Sequence, residues 1–190
     1  MGATLPAALR FRGVEAKIGR LEREIESIDA FFYEKDKAGD RDLYASMLER
    51  KRDDIVRSTV LQIHTSIEDI LNSLIRQQML AGKSTRSKRS RALHKLLIGA
   101  GSVGFDAKLN LAIAIGLLNS KTEERLRELN RLRNKCSHNW LLKVPVRRGR
   151  RPKQKKLPLL LYRGRDLHNV DILREFSHEY VRIYLKLFLK

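Results

Sequence analysis

Sulfur chemistry is nearly absent from this chain: Cys136 is the one cysteine. An internal disulfide is excluded, no cysteine cluster suggests zinc, and a reducing cytoplasm is the expected compartment. Proline is almost as sparse, at positions 6, 145, 152 and 158 only. Residues 7–144 therefore carry no obligate helix breaker, and the stretch is predicted to be helical. Aromatic residues make up 6% and mostly fall at helical core spacing. No base-stacking platform like that of RNA-recognition motifs or OB folds is expected, so contact with nucleic acid would be led by backbone and shape. Long apolar runs are missing too. The longest, Leu109–Leu118, is about half of what a membrane span needs, and the opening MGATLPAALRFRG has no sustained apolar stretch. Acidic residues are the last deficit: 22 Asp and Glu face 40 Lys and Arg, a formal charge of +18.

An excess of that size favours a polyanionic partner through counterion release and steering, and says nothing about fold. A merely solvated surface or an acidic protein partner is the bland alternative, but the cations cluster. Lys83, Arg86, Lys88, Arg89 and Arg91 share one connector, and Lys143, Arg147, Arg148, Arg150, Arg151, Lys153, Lys155 and Lys156 share another. Nucleic acid is the leading expectation, with no membrane partner. The glycine-rich GAGSVG is not a phosphate loop, because it lacks the lysine and the preceding strand.

At 42% hydrophobic, the chain can bury a real core. Val14, Ile18, Leu21, Ile25, Ile28 and Phe32 form a heptad seam that ends at the turn 36–40. The next helix, from about 41 to 80, would pair with it as an antiparallel hairpin through Leu43, Tyr44, Met47, Leu48 and Ile55. Its second half gathers Val60, Ile63, His64, Ile67, Ile70, Leu71, Leu74 and Ile75 on one side, with Glu68 at the margin and Asp69 opposite. Short helices follow at Ala92–Ala100 and Asp106–Leu118, then a capping box at Ser120-Lys-Thr-Glu123. After Trp140 an apolar–basic–apolar order predicts a hairpin with a basic tip, or else a charged loop. A last helix at about 170–189 buries Val170, Leu173, Phe176, Tyr180, Ile183, Tyr184 and Leu187.

Function is argued from residues 126–142, LRELNRLRNKCSHNWLL. Leu126, Leu129, Leu132, Cys136 and Trp140 make an apolar stripe, with Arg133 at its edge. Arg133 and His138 differ by about 140° around the helix and about 7.5 Å along it, so they flank a groove that a second chain could close. An arginine can hold a phosphate by two hydrogen bonds, and a histidine can move a proton near neutral pH. The spacing recurs in Arg89/His94 and Arg163/His168, but the first lies in the basic connector and the second straddles Gly164 in a turn. Glu68 could orient Arg133 or His138, although an ordinary surface carboxylate is the simpler reading. His64 reads first as a core histidine.

With Asn134 directly after Arg133, and with GFDAKLNLAIAIGLL leading into NSKTEERLRELNRLRNKCSH, residues 57–142 resemble the HEPN superfamily of nucleotide-binding domains. Its signature is an arginine, four to six residues, then a histidine, commonly with a polar residue after the arginine. The resemblance implies an all-α antiparallel bundle that dimerises to bring two motifs together, often as a metal-independent endoribonuclease acting as a toxin or defence effector. Arg133 would bind and stabilise the phosphate, His138 would serve as general base or acid, and Asn134 would orient one of them. No metal or cofactor is implied. Some members have no known catalysis, so a non-catalytic dimer that binds nucleic acid or a regulator is the alternative.

The expected organisation is an N-terminal helical hairpin over 1–56 and a HEPN-like domain over 57–190 with a basic insertion at 143–162. The hairpin and the insertion depart from the minimal family domain. Lys135, Arg147, Arg148, Arg150, Arg151 and Lys153 are the candidate RNA-phosphate contacts. RNA, a second copy of the chain and an antitoxin or regulatory protein are the expected partners.

Overall fold

The computed structural model describes residues 13–27, 38–81, 87–98, 101–139 and 160–190, with the backbone alone at 38–47 and 138–139. Among these residues the chain forms six helices and one two-stranded hairpin, an all-α fold as expected. Residues 13–27 form α1. Val14, Ile18 and Leu21 of the seam are buried, while Ile28 and Phe32 lie outside the described residues.

The second helix, α2 (Ala38–Met79), is 42 residues long and serves as the spine of the bundle. α1 runs antiparallel along it, with Glu24 paired to Lys51, and also reaches α6 (Val170–Phe188) through Glu22–Arg174. Val14 and Ile18 belong to the same apolar cluster as Ile63, Leu129 and Phe176. The expected division at residue 56 falls inside unbroken α2.

Helix ends follow local chemistry. α3 (Lys88–Ile98) begins four residues before the expected Ala92, because the Ser87 hydroxyl accepts from the Ser90 amide at 3.1 Å. Lys88, Arg89 and Arg91 thus sit on a helix, not in a connector. α4 (Phe105–Ala114) stops short of Leu118 because Gly116 takes φ +73°, and the Gly116 and Leu117 amides donate back to Ile113 and Ala112 in a Schellman turn. α5 (Ser120–Asn139) is capped by Asn119, whose side chain accepts from Thr122 N at 2.9 Å. The expected capping box is displaced, and Glu123 instead accepts from Arg127 at 2.9 Å.

β1 (Leu161–Tyr162) and β2 (Arg165–Asp166) pair antiparallel around Arg163 and Gly164, both at positive φ, which suits the twist of a two-residue hairpin. The hairpin tip is therefore Arg163-Gly164. The basic segment expected at the tip lies outside the described residues, as does Trp140. Asn169 caps α6 by accepting from Asp171 N and Ile172 N. The buried face of α6 is the expected one, except that Val170 is only half-buried. No described helix is long and apolar enough to cross a membrane.

Candidate functional site

α5 antiparallel to α2 sets the geometry. Leu126, Leu129, Leu132 and Cys136 are buried, as the stripe requires. Arg133 comes seven residues after fully buried Leu126, about 20° away around the helix, and yet it is exposed. Arg133 is thus exposed on a side of the helix that is otherwise core, although Leu132 beside it and Cys136 beyond it stay buried.

Its Nη1 donates to the Asn134 side-chain oxygen at 3.1 Å. Among the described residues no carboxylate lies within ion-pair distance of Arg133. The Ser137 hydroxyl donates to the Arg133 carbonyl at 3.1 Å, and Lys135 is exposed. The backbone of His138 continues α5 one turn further; its side chain, and Arg147, Arg148, Arg150, Arg151 and Lys153, lie outside what is described.

Behind Arg133 sits a buried polar ladder. His64 is 4% exposed, its ring 4.3 Å from that of Phe105, and its Nε2 lies 3.3 Å from Asn130 Oδ1. Asn130 donates in turn to Asp106 at 2.9 Å, so His64 Nε2 carries the hydrogen. Burial holds the His64 pKa below its ordinary value; the Arg133 and Lys108 charges add to this, against Glu68 and Asn130. The imidazole is a neutral core group, as the sequence suggested. Glu68 does not orient Arg133: Lys108, 2% exposed, donates to it at 2.5 Å, and His64 Nδ1 is 3.8 Å away. A carboxylate at the core's edge was taken up by the one lysine buried beside it.

A second network reaches the foot of α5. Arg57, 3% exposed, donates from Nε to Asp53 at 2.6 Å and from Nη1 to the Cys136 carbonyl at 3.0 Å. That carbonyl lies in the last turn of α5, so a buried cation from α2 sits at the negative end of the helix that carries His138. Asp53 also meets His168 Nε2 at 3.1 Å, and His168 Nδ1 meets Asp166 at 2.8 Å. Burial acts to raise the Asp166 pKa, but hydrogen bonds from the His168 backbone and ring outweigh it and hold the carboxylate low.

Neither Arg57 nor Asp53 stands out in the sequence, and His168 enters only through the Arg163/His168 spacing across a turn. The Asp53–Arg57 spacing of four was a usable signal, but the ties to Cys136 and His168 cross 79 and 115 positions. The imidazole links its two carboxylates in a chain; among the described residues no three His, Cys, Asp or Glu are grouped as metal ligands would be. Burial pushes the Cys136 thiol up to about 11, with Arg57 opposing, so the cysteine stays protonated as a core residue.

The chain matches no family model, no curated protein and no solved structure. The likeness to the HEPN superfamily thus rests on the residues quoted above.

Proposed function

We propose that the chain is a HEPN-like, metal-independent endoribonuclease working as a dimer, a toxin or defence effector by type. The observation that carries this reading is the exposed Arg133, without a described carboxylate partner, five residues before His138 on a helix end met by Arg57. Arg133 would neutralise the scissile phosphate, steadied by Asn134. His138 would take the proton of the adjacent 2′-hydroxyl; the 2′ oxygen forms a bond to phosphorus as the bond to the 5′ oxygen breaks, and that oxygen leaves with a proton returned by imidazolium or water. The products would be a 2′,3′-cyclic phosphate and a 5′-hydroxyl, and DNA, lacking the hydroxyl, would survive.

The test is incubation of labelled structured RNA with the chain in excess EDTA, beside Arg133→Ala and His138→Ala. Cutting by the unaltered chain alone, with cyclic-phosphate ends, supports the nuclease; cutting by all three preparations sinks it. The +18 charge supports a second reading, a non-catalytic dimer that binds nucleic acid or a regulator. Intact RNA with salt-sensitive binding would select it.

A further inference from the structure

An open groove of about 600 Å³ runs between the first half of α5 and α6. Arg174, His178, Arg182 and Lys186 line it from α6 at four-residue steps, a ladder with about 6 Å between rungs. Lys121 and Arg125 line the opposite wall at the same step. The two helices are antiparallel: the Tyr180 hydroxyl donates to the Arg125 carbonyl at 2.8 Å, and Lys190 Nζ, just past α6, donates to the Leu117 carbonyl, just before α5, at 2.5 Å.

The carboxylates of the groove are already engaged. Glu179 holds Arg125 and Arg163, Glu175 accepts from Arg165 at 2.6 Å, and Asp171 is 3.7 Å from Arg174. At the upper rungs Arg174 pairs with Glu22, and His178 is 3.6 Å from Glu15. At the lower end Lys121, Arg182 and Lys186 are exposed, with no carboxylate within ion-pair distance among the described residues. The groove is balanced at one end and cationic at the other.

We propose that the cationic end binds the sugar-phosphate backbone of a single RNA strand, with Lys121, Arg182 and Lys186 each neutralising a phosphate. The inference rests on the reading of the chain as an RNA-directed protein and adds where the strand lies beyond Arg133. Arg182 and Lys186, about 6 Å apart, match the separation of successive phosphates on an extended strand, with Lys121 facing them from the other wall, and a cationic groove that tracks the backbone needs no aromatic platform. Twelve residues of unbroken α5 separate Lys121 from Arg133, about 18 Å. A strand seated in the groove lies on the helix that carries the motif and would turn about 120° around it to reach Arg133.

The probe is a fluorescent single-stranded 2′-O-methyl RNA, which cannot be cut by its own 2′ oxygen, titrated with the full chain by anisotropy over a salt series. Lys121→Glu/Arg182→Glu/Lys186→Glu should weaken binding by about tenfold or more. Its slope of log Kd against log salt should fall by about 2, as expected for three single-strand phosphate contacts. Arg20→Glu/Arg23→Glu/Arg50→Glu, the same charge reversal on exposed positions of α1 and α2, should retain most of the affinity and the slope. Circular dichroism and Tm verify folding of both variants.

Equal losses in the two variants, no loss in the groove variant, or no binding by the unaltered chain would overturn the proposal. Cleavage of ordinary RNA is scored apart. Binding through the groove without cutting removes the nuclease and leaves the groove, whereas cutting with an undiminished groove variant does the reverse.

Discussion

Arg133 and Arg57 show how differently one residue type behaves by environment. Arg133→Ala should leave stability within about 0.5 kcal/mol, since its side chain is solvated, while lowering RNA cleavage about a hundredfold or more. Arg57→Met should do the opposite to stability. It leaves Asp53 with His168 alone and strips the Cys136 carbonyl of its donor, at a cost of about 3 kcal/mol in urea unfolding. Losses of equal size from the two variants would contradict this division.

His64 contributes a pH dependence near neutrality. Burial lowers its pKa in the folded chain, so the unfolded chain binds that proton more readily. Stability is complete above the ordinary value of 6.5 and falls as pH drops below it, by at most about 1.4 kcal/mol per unit. His64→Gln, which keeps a donor for Asn130, should flatten the change in urea midpoint between about pH 7 and about pH 5. At this scale the sequence revealed the buried stripe and the buried histidine, because both depend on three- and four-residue spacing. It hid the partner of Glu68 and the place of Arg57 at the end of α5, which depend on which helices meet.

The helices carry their own punctuation. Asn169→Ala removes the acceptor for two amides of α6 and should cost about 1 kcal/mol in thermal unfolding. Gly116→Ala places a Cβ at φ +73° and should cost about as much. If either were silent, the corresponding cap would not be holding its helix. Helix existence was legible because proline is confined to four positions and the apolar spacing is regular. Ends were less legible, since Ser87, Gly116 and Asn119 each offered a cap that competed with a neighbour. At α5, Asn119 prevailed over Ser120; at α4, the glycine ended the helix while the apolar pattern ran on to Leu118.

The whole molecule is organised around one apolar cluster that includes α1 residues as well as the bundle. Removal of residues 1–37 should therefore lower Tm and expose part of that cluster to solvent, seen as dye binding, and the intact chain should unfold in one transition. A second, independent transition for the N-terminal hairpin would argue against a shared core.

The anchoring of the chain around its basic segment has a practical meaning. It departs from α5 just beyond a carbonyl held by Arg57 and re-enters ahead of His168, held by Asp53, and those two anchors are a single turn apart on α2. The described chain is therefore pinned to one short stretch of α2 on both sides of residues 141–158, with Leu160, Tyr162 and Leu167 buried in the core on the returning side. Excising 141–158 in favour of a short glycine-serine bridge would discard eight cations without disturbing either anchor. If the two anchors alone close the bundle at this end, the shortened chain should keep the Tm of the unaltered one; a large drop would show that the excised residues help hold the fold.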